Sequence, residues 1–243
     1  MTLNRPLAHL KISTGTLDDI LSYIEECIAG DKRIYCVPLN VTKYVLSKKD
    51  SKLREVISDS DLVIADGIPV MWLSRRAGYG DVHRVTGIDL AETILSRSKK
   101  HMWKLFFLGA SSENLERAIK RVRERFDYPD IVGYENGYFK PGDIDKVIDK
   151  INSSRADILF LGLGMPQKEY FIRDYFAKTT AKLYLPVGGA FDVWAEVKKR
   201  TPNVVQKIGM EWFYRSFYDI SRARNIARYG LNFFGDFIFY KQR

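Results

Sequence analysis

Short apolar runs alternate with helical stretches about six times along this chain, and no other feature limits the fold as strongly. Runs of about four to six apolar residues bounded by turn formers are typical of strands buried on both faces of a parallel sheet. Between them, apolar residues recur three and four positions apart, as on one face of a helix. The pattern predicts an α/β fold, a Rossmann-like parallel sheet with helices on both faces. The predicted strands of this sheet cover Arg33–Val37, Asp61–Ala65, Trp103–Leu108, Ile131–Tyr134, Asp157–Leu161 and Lys182–Val187.

The two ends of the chain depart from this alternation. A short opening strand is predicted over His9–Ile12, with Thr14 as the cap of the helix that follows it. The C-terminal residues predict two helices, about Val204–Tyr218 and Ser221–Tyr240, rich in Arg, Trp, Phe and Tyr. We therefore expect a Rossmann-like catalytic domain over residues 1–196 and a basic, aromatic helical appendage over residues 197–243.

The appendage carries most of the positive charge. From Val197 onward, ten Lys and Arg stand against three Asp and Glu, whereas the whole chain has a net charge of +9. Basic residues beside Phe and Tyr suit a helix lying on an anionic membrane surface, and arginines also suit a diphosphate. A solvated basic face is the simpler alternative. Nucleic acid is disfavoured, because no nucleic-acid-binding motif accompanies the arginines.

Two further sequence features bear on where in the cell the protein lies. Met1–Leu10 lacks the apolar core of a signal peptide, and no stretch of about 20 apolar residues could span a bilayer. Cys27 and Cys36 fall on the apolar face of a predicted helix and inside a predicted strand, which favours buried, reduced thiols. We expect a cytoplasmic protein that binds peripherally at the inner face of the cell membrane.

The apolar run Leu62–Ala65 stops abruptly at Asp66 and Gly67, before a predicted helix with Pro69 in its first turn. This places Asp66 at the carboxyl end of a strand, where open α/β sheets bind their ligands. The simpler interpretation is that Asp66 caps the helix after it.

Glycines also follow several strands and open helices, at Gly67, at Gly109-Ala110 and at Gly162-Leu163-Gly164. Glycine lets a ligand approach the backbone, and a helix N-terminus attracts phosphate, so these ends suggest a phosphorylated ligand. The dinucleotide fingerprint is absent, because Gly164 is followed by Met-Pro-Gln without a third glycine. Close packing of the turns explains the glycines equally well.

Metal and acyl-transfer chemistry have little support. Asp59-Ser60-Asp61 and Asp143-Ile144-Asp145 match a metal-binding Asp-x-Asp pair, but the second lies at a predicted helix start, where carboxylates favour the helix dipole. His9, His83 and His101 are too scattered for a zinc site or a Ser/His/Asp triad. No metal and no cofactor are expected.

Taken together, the chain resembles the WecG/TagA/CpsF family of bacterial glycosyltransferases over nearly its whole length. Each motif is weak alone, but their common order and spacing are specific. The residues that carry the resemblance are Asn40, Ala65–Gly67, Arg84–Asp89, Gly137–Phe139, Gly164-x-Pro166-x-x-Glu169, Gly188–Asp192 and Gly209–Arg215.

The resemblance implies an inverting, metal-independent transfer of a sugar, N-acetylmannosamine-like or another hexose, from a UDP-sugar to a polyprenyl-diphosphate-linked saccharide. It implies synthesis of a cell-surface polysaccharide or wall polymer. Asp66 matches the proposed general base, and Asn40 and Arg84 match groups near the reacting centre. The expected partners are the UDP-sugar, the lipid-linked acceptor, an anionic membrane surface and, as an option, further copies of this chain.

The resemblance also implies where the two substrates bind. Gly137, Tyr138 and Asp192 match positions near the nucleotide, in addition to the glycine-opened strand ends Gly67, Gly109-Ala110 and Gly164. Arg215 and Arg222 match arginines that hold the lipid diphosphate.

This chain departs from the family pattern in two places. The family's Pro-Lys-Gln-Glu is Pro166-Gln167-Lys168-Glu169 here, so either Gln167 or Lys168 takes the place of an active-site Gln. The family's third tail arginine falls on Asn225, and Arg224, one residue earlier, is the candidate replacement.

Other functions stay open at this point, because a fold does not fix a function. A nucleotide-dependent oxidoreductase or methyltransferase could use the same sheet, although the broken glycine fingerprint counts against the former. A non-enzymatic membrane or nucleic-acid adaptor could use the basic appendage.

Overall fold

The computed structural model describes residues 4–198 and 220–240, with the side chains of 220–228 excepted. In the described part, the strands are β1 (Asn4–Leu7), β2 (Leu10–Ser13), β3 (Ile34–Leu39), β4 (Leu62–Ala65), β5 (Leu105–Gly109), β6 (Ile131–Glu135), β7 (Ile158–Gly162) and β8 (Leu183–Pro186). The α-helices of the same part are α1 (Leu17–Ala29), α2 (Val41–Leu46), α3 (Ser51–Asp59), α4 (Ile68–Arg76), α5 (Gly87–His101), α6 (Ser112–Arg125), α7 (Ile144–Ser154), α8 (Gln167–Tyr175), α9 (Ala190–Trp194) and α10 (Ile220–Phe239).

Six strands form one sheet in the order β4-β3-β8-β7-β5-β6. Strand β5 pairs in parallel with both β6 and β7, and β8 pairs in parallel with both β7 and β3. Helices follow the strands and cover the sheet, because parallel neighbours need crossover connections. The predicted α/β, Rossmann-like fold is confirmed, and its six strands are those that the apolar runs predicted.

The chain divides into two compact units. The first comprises the described residues among 1–20, 38–86 and 200–243, and the second comprises 21–37 and 87–199. Strand β3 contributes to both units, since its last two residues belong to the first. The expected boundary between residues 196 and 197 stays a prediction, and the predicted helix over 204–218 lies outside the described residues.

The core of the second unit is built on strands whose side chains are buried on both faces. Aromatic rings from β5, β7 and α9 pack together at centroid distances of 5.2 Å between Phe107 and Phe160 and 5.3 Å between Phe107 and Phe191. Cys27 and Cys36 are buried and form no disulfide, as predicted. A continuous apolar core of this kind explains why the strand signal in the sequence was strong.

The start of the chain differs from the prediction. Instead of one strand over His9–Ile12, β1 and β2 form an antiparallel hairpin in which Pro6 lies opposite Lys11. Proline is tolerated there because a hairpin edge does not need its missing N–H. The predicted cap, Thr14, is also wrong. Thr16 and Asp19 form the cap of α1, with the Thr16 N–H donating to Asp19 Oδ2 at 2.8 Å and the Asp19 N–H donating to Thr16 Oγ1 at 3.2 Å.

The last helix packs on α2 within the first unit. The rings of Phe233 and Tyr44 meet edge to face at 5.2 Å, and Asp236 forms an ion pair with Lys48. Burial and the neighbouring Asp236 carboxylate raise the pKa of the Tyr44 hydroxyl. Arg76 of α4 donates to the carbonyl of Ile238 at 2.9 Å. Of the helices that the structure describes, none has the length and apolar character needed to cross a bilayer.

Candidate active site

Backbone hydrogen bonds bring three of the predicted site residues, Asn40, Asp66 and Arg84, to one edge of the first unit. The Asp66 N–H donates to the carbonyl of Leu39, the residue before Asn40, at 2.9 Å. The Val85 N–H donates to the carbonyl of Ala65 at 3.1 Å, and Ala65 and Arg84 form a parallel bridge. The chain segments that end at Asn40, Asp66 and Arg84 are therefore adjacent, at the edge where α/β sheets bind ligands.

Asn40 is the cap of α2. Its Oδ1 accepts from the backbone N–H of Lys43 at 3.0 Å, which satisfies one of the free donors of the first turn. Because the short helix starts at Asn40, the position of this side chain is fixed by the end of β3.

Asp66 is not the cap residue of the helix after it. The cap position of α4 is Gly67, which has φ of +124° and no side chain, and Pro69 lies in the first turn. A residue with a Cβ would adopt this φ only with strain. Within the described part of the chain, a methyl group at Gly67 would otherwise meet only Pro69 Cδ, at 3.8 Å, so the space next to this backbone is not filled by packing.

In the second unit, Gly109 and Gly162 lie opposite each other at the ends of β5 and β7. A Cβ at Gly109 would lie 2.4 Å from the backbone of Gly162, and one at Gly162 would lie 2.5 Å from the Phe191 ring. Close packing, one of the two interpretations left open above, therefore accounts for these two glycines.

The end of β6 is tied to the end of β5. The Gly137 N–H donates to the carbonyl of Ala110 at 2.9 Å, and Ala110 has φ of +57°. The next residue, Tyr138, is held by a turn in which its N–H donates to Asn136 Oδ1 at 2.9 Å, and its side chain is 80% exposed. Gly109, Ala110, Gly137 and Tyr138 are thus brought together at the ends of β5 and β6, beside an exposed aromatic ring.

Asp192 lies in α9 and already has partners in the second unit. Its Oδ1 accepts from Asn114 Nδ2 of α6 at 3.1 Å, and its Oδ2 accepts from Lys198. These contacts fix the carboxylate in place.

Gln167 and Lys168 open α8 but differ in environment. Gln167 is exposed, and its Oε1 would lie 3.4 Å from a methyl group at Gly164. Lys168 is buried, its Nζ lies 3.4 Å from Oε1 of the fully buried Glu169, and its Cε would lie 3.8 Å from a methyl group at Gly188. Both side chains therefore lie beside glycines at strand ends, and the ammonium is the more enclosed of the two.

The predicted lipid-diphosphate residues are placed only in part. Arg215 lies outside the described residues. Arg222 and Arg224 belong to α10, and their side chains lie outside the described part of the structure.

The sequence motifs that carry the family resemblance come from both units. A comparison of the whole chain with protein-family profiles tests them together. Residues 5–243 match the sequence profile of the glycosyl transferase WecG/TagA/CpsF family. The chain belongs to this family. Membership makes the protein a glycosyltransferase of cell-surface polysaccharide synthesis, with a sugar donor and a lipid-linked acceptor as its general substrates. The oxidoreductase, methyltransferase and adaptor alternatives have no comparable support.

Possible metal ligands of this glycosyltransferase are the His, Cys, Asp and Glu side chains. Within residues 4–198 and 220–240, no three His, Cys, Asp or Glu side chains cluster closely enough to hold an ion. The predicted metal independence is not tested by this observation and stays a prediction.

Some features of the glycosyltransferase site were missed by sequence reasoning. The spacing of Lys168, Phe171 and Ile172 on one face of α8 was a usable signal that Lys168 points inward. No local signal pointed to Asn114 as the partner of Asp192, because the two residues are far apart in the chain. Lys43, which is buried beside Asn40, was also missed.

Proposed function

We propose that the enzyme transfers a sugar from a UDP-sugar to a polyprenyl-diphosphate-linked saccharide in a single, inverting displacement that needs no metal ion. The observation that carries the proposal is the adjacency of the backbones of Asn40, Asp66 and Arg84 at the carboxyl edge of β3 and β4. One carboxylate, one amide and one guanidinium there provide a base, an orienting group and a cation. Membership of the glycosyltransferase family supports the reaction class.

In the proposed step, the Asp66 carboxylate takes the proton from an acceptor hydroxyl. The hydroxyl oxygen forms a bond to the anomeric carbon while the bond from that carbon to the diphosphate breaks, and UDP leaves with the electron pair. Arg84 stabilises the negative charge that develops on UDP, and Asn40 orients a reacting hydroxyl. Attack from the face opposite to the leaving group inverts the anomeric configuration.

The proposed donor site uses the strand ends of the second unit. The diphosphate is proposed to lie along the backbone at Gly109-Ala110, Gly137 and Gly164, and the exposed ring of Tyr138 offers a stacking surface for the uracil. Asp192, fixed by Asn114, accepts from ribose hydroxyls. The enclosed ammonium of Lys168 suits the diphosphate, and the exposed amide of Gln167 suits sugar hydroxyls.

The direct test is transfer from a panel of UDP-sugars to a polyprenyl-diphosphate-sugar analogue, in excess EDTA. We expect one UDP-sugar to react with inversion, read from the anomeric coupling constant of the product, and at the same rate with and without chelator. Loss of activity in EDTA with rescue by magnesium would overturn the metal-free mechanism. Thermal stabilisation by NAD or S-adenosylmethionine, but not by UDP, would overturn the whole assignment.

We also propose that the C-terminal appendage binds an anionic membrane at its cytoplasmic face and that Arg215, Arg222 and Arg224 hold the lipid diphosphate. The support comes from α10, whose outer face is apolar and open. Leu231, Phe234 and Ile238 recur three and four positions apart and are 76%, 52% and 58% exposed. The opposite face of α10 packs on α2 through Phe233.

Changing Leu231, Phe234 and Ile238 together to Gln should strongly weaken binding to phosphatidylglycerol-containing liposomes. Each side chain contributes about 1 to 2 kcal/mol when it leaves water, so the triple change should weaken binding by about 10²-fold or more. Liposome co-sedimentation measures the loss. Met102→Gln, which removes an exposed apolar side chain elsewhere, is the matched control and should bind normally. Unchanged binding by the triple variant would show that α10 is not the membrane contact.

A further inference from the structure

Among the described residues, three charged side chains are buried: Lys43, Lys168 and Glu169. Lys168 and Glu169 lie next to each other in the second unit. Lys43 lies in the first unit, on α2, and is 3% exposed. Unlike Lys168, it has no role in the proposed reaction.

Lys43 holds the turn between β3 and α2 at two points. Its ammonium donates to the carbonyl of Pro38 at 2.7 Å, and this hydrogen bond is itself buried. Its backbone N–H donates to the side chain of Asn40 at 3.0 Å. The same residue therefore fixes the strand end before Asn40 and the side chain of Asn40 itself.

The three successive carbonyls at this turn have different partners. Pro38 O accepts from the Lys43 ammonium, Leu39 O accepts from the Asp66 N–H, and Asn40 O accepts from the Tyr44 N–H. A shift of the turn at Pro38 would move the carbonyl that holds the Asp66 backbone. Lys43 is thus connected to both Asn40 and Asp66 through one peptide segment.

Simple space filling does not explain a lysine at this position. Burying an ammonium carries a large desolvation cost that a methionine of similar length would avoid. The hydrogen bond to Pro38 O offsets part of that cost and orders the turn. What lysine provides here, and an apolar side chain does not, is this bond.

We infer that Lys43 is a positioning residue for the transfer reaction, whose ammonium holds the Pro38–Asn40 turn so that Asn40 and Asp66 keep their relative position. The inference rests on the proposed roles of Asn40 and Asp66. It predicts an effect on turnover rather than on donor binding, because Lys43 acts through residues of the reacting centre.

The test compares Lys43→Met with Lys43→Arg in the full-length enzyme. We expect kcat to fall by about 10²-fold in Lys43→Met, the effect of a misplaced reacting group, with KM for the UDP-sugar nearly unchanged. Lys43→Arg keeps a donor and a charge and should recover part of the loss. Lys49→Met, which removes an exposed lysine just after α2, is the matched control and should keep full activity.

Hydrogen exchange separates this inference from the proposed reaction. In Lys43→Met, the amide of Asp66 should exchange faster than in the wild type, while the amides of β5 and β7 exchange as before. This result would stand even if another residue proved to be the base. Wild-type kcat in Lys43→Met, or faster exchange spread evenly over the whole protein, would overturn the positioning role and leave Lys43 a general contributor to stability.

Discussion

Replacing Asp66 with Asn should lower turnover by about 10² to 10⁴-fold, the usual contribution of a positioned general base. Asn has nearly the same shape and keeps the backbone N–H that donates to Leu39, so the strand end should not move. It cannot accept the proton from the acceptor hydroxyl. The loss should therefore appear in kcat, while the affinity for UDP, measured by calorimetry, stays close to that of the wild type.

A carboxylate before the other end of β4 provides the control for Asp66. Asp59 is exposed at the end of α3, and Asp59→Asn should transfer sugar at the wild-type rate. If Asp66→Asn also keeps nearly normal turnover, Asp66 is not the base. If it loses UDP affinity as strongly as it loses turnover, its role is to bind the donor.

Gly109→Ala should destabilise the enzyme by about 3 kcal/mol or more, through backbone strain and overpacking together. Gly109 has φ of +141°, and the added Cβ would lie 2.4 Å from the backbone of Gly162, which cannot rotate away. The strands β5 and β7 would have to separate where the proposed diphosphate site lies. We expect a lower midpoint of urea denaturation and weaker UDP binding in the fraction that stays folded.

Gly142→Ala is the matched glycine change. Gly142 is exposed and an added Cβ would meet no atom of the described residues within 4 Å, so stability should stay within about 0.5 kcal/mol of the wild type. Equal stability of Gly109→Ala and wild type would mean that β5 and β7 are not as close at this point as the structure has them.

The sheet could be predicted from the sequence because its strands are buried on both faces and show as continuous apolar runs. The cap at Asn40 is also encoded locally, because Asn directly before a helical run is a common cap. The hairpin at the start of the chain could not be predicted, because Pro6 indicates a turn unless the strand is known to lie at an edge. The cap of α1 was placed at Thr14 instead of Thr16, as two threonines so close together offer equivalent signals.

The candidate site was predictable to a smaller extent. Asn40 and Asp66 follow two apolar runs, so their place at strand ends followed from the sequence. Arg84 lies in a loop, and its bridge to Ala65 is a pairing between distant residues that no local pattern encodes. Lys43 near the start of a helix looks like an exposed charge, and only the folded chain shows that it is buried.

Helix α2 has six residues, so its two ends are about 9 Å apart at the rise of an α-helix. Asn40 stands at one end, and near the other Tyr44 and Lys48 contact α10. Cutting away the last helix would thus open the packing around Tyr44 at the same time as it removed the outer apolar face. If α10 contacts the membrane as proposed, its two faces have separable roles, and only substitutions confined to its outer face should release the enzyme from a membrane without also loosening the support of Asn40.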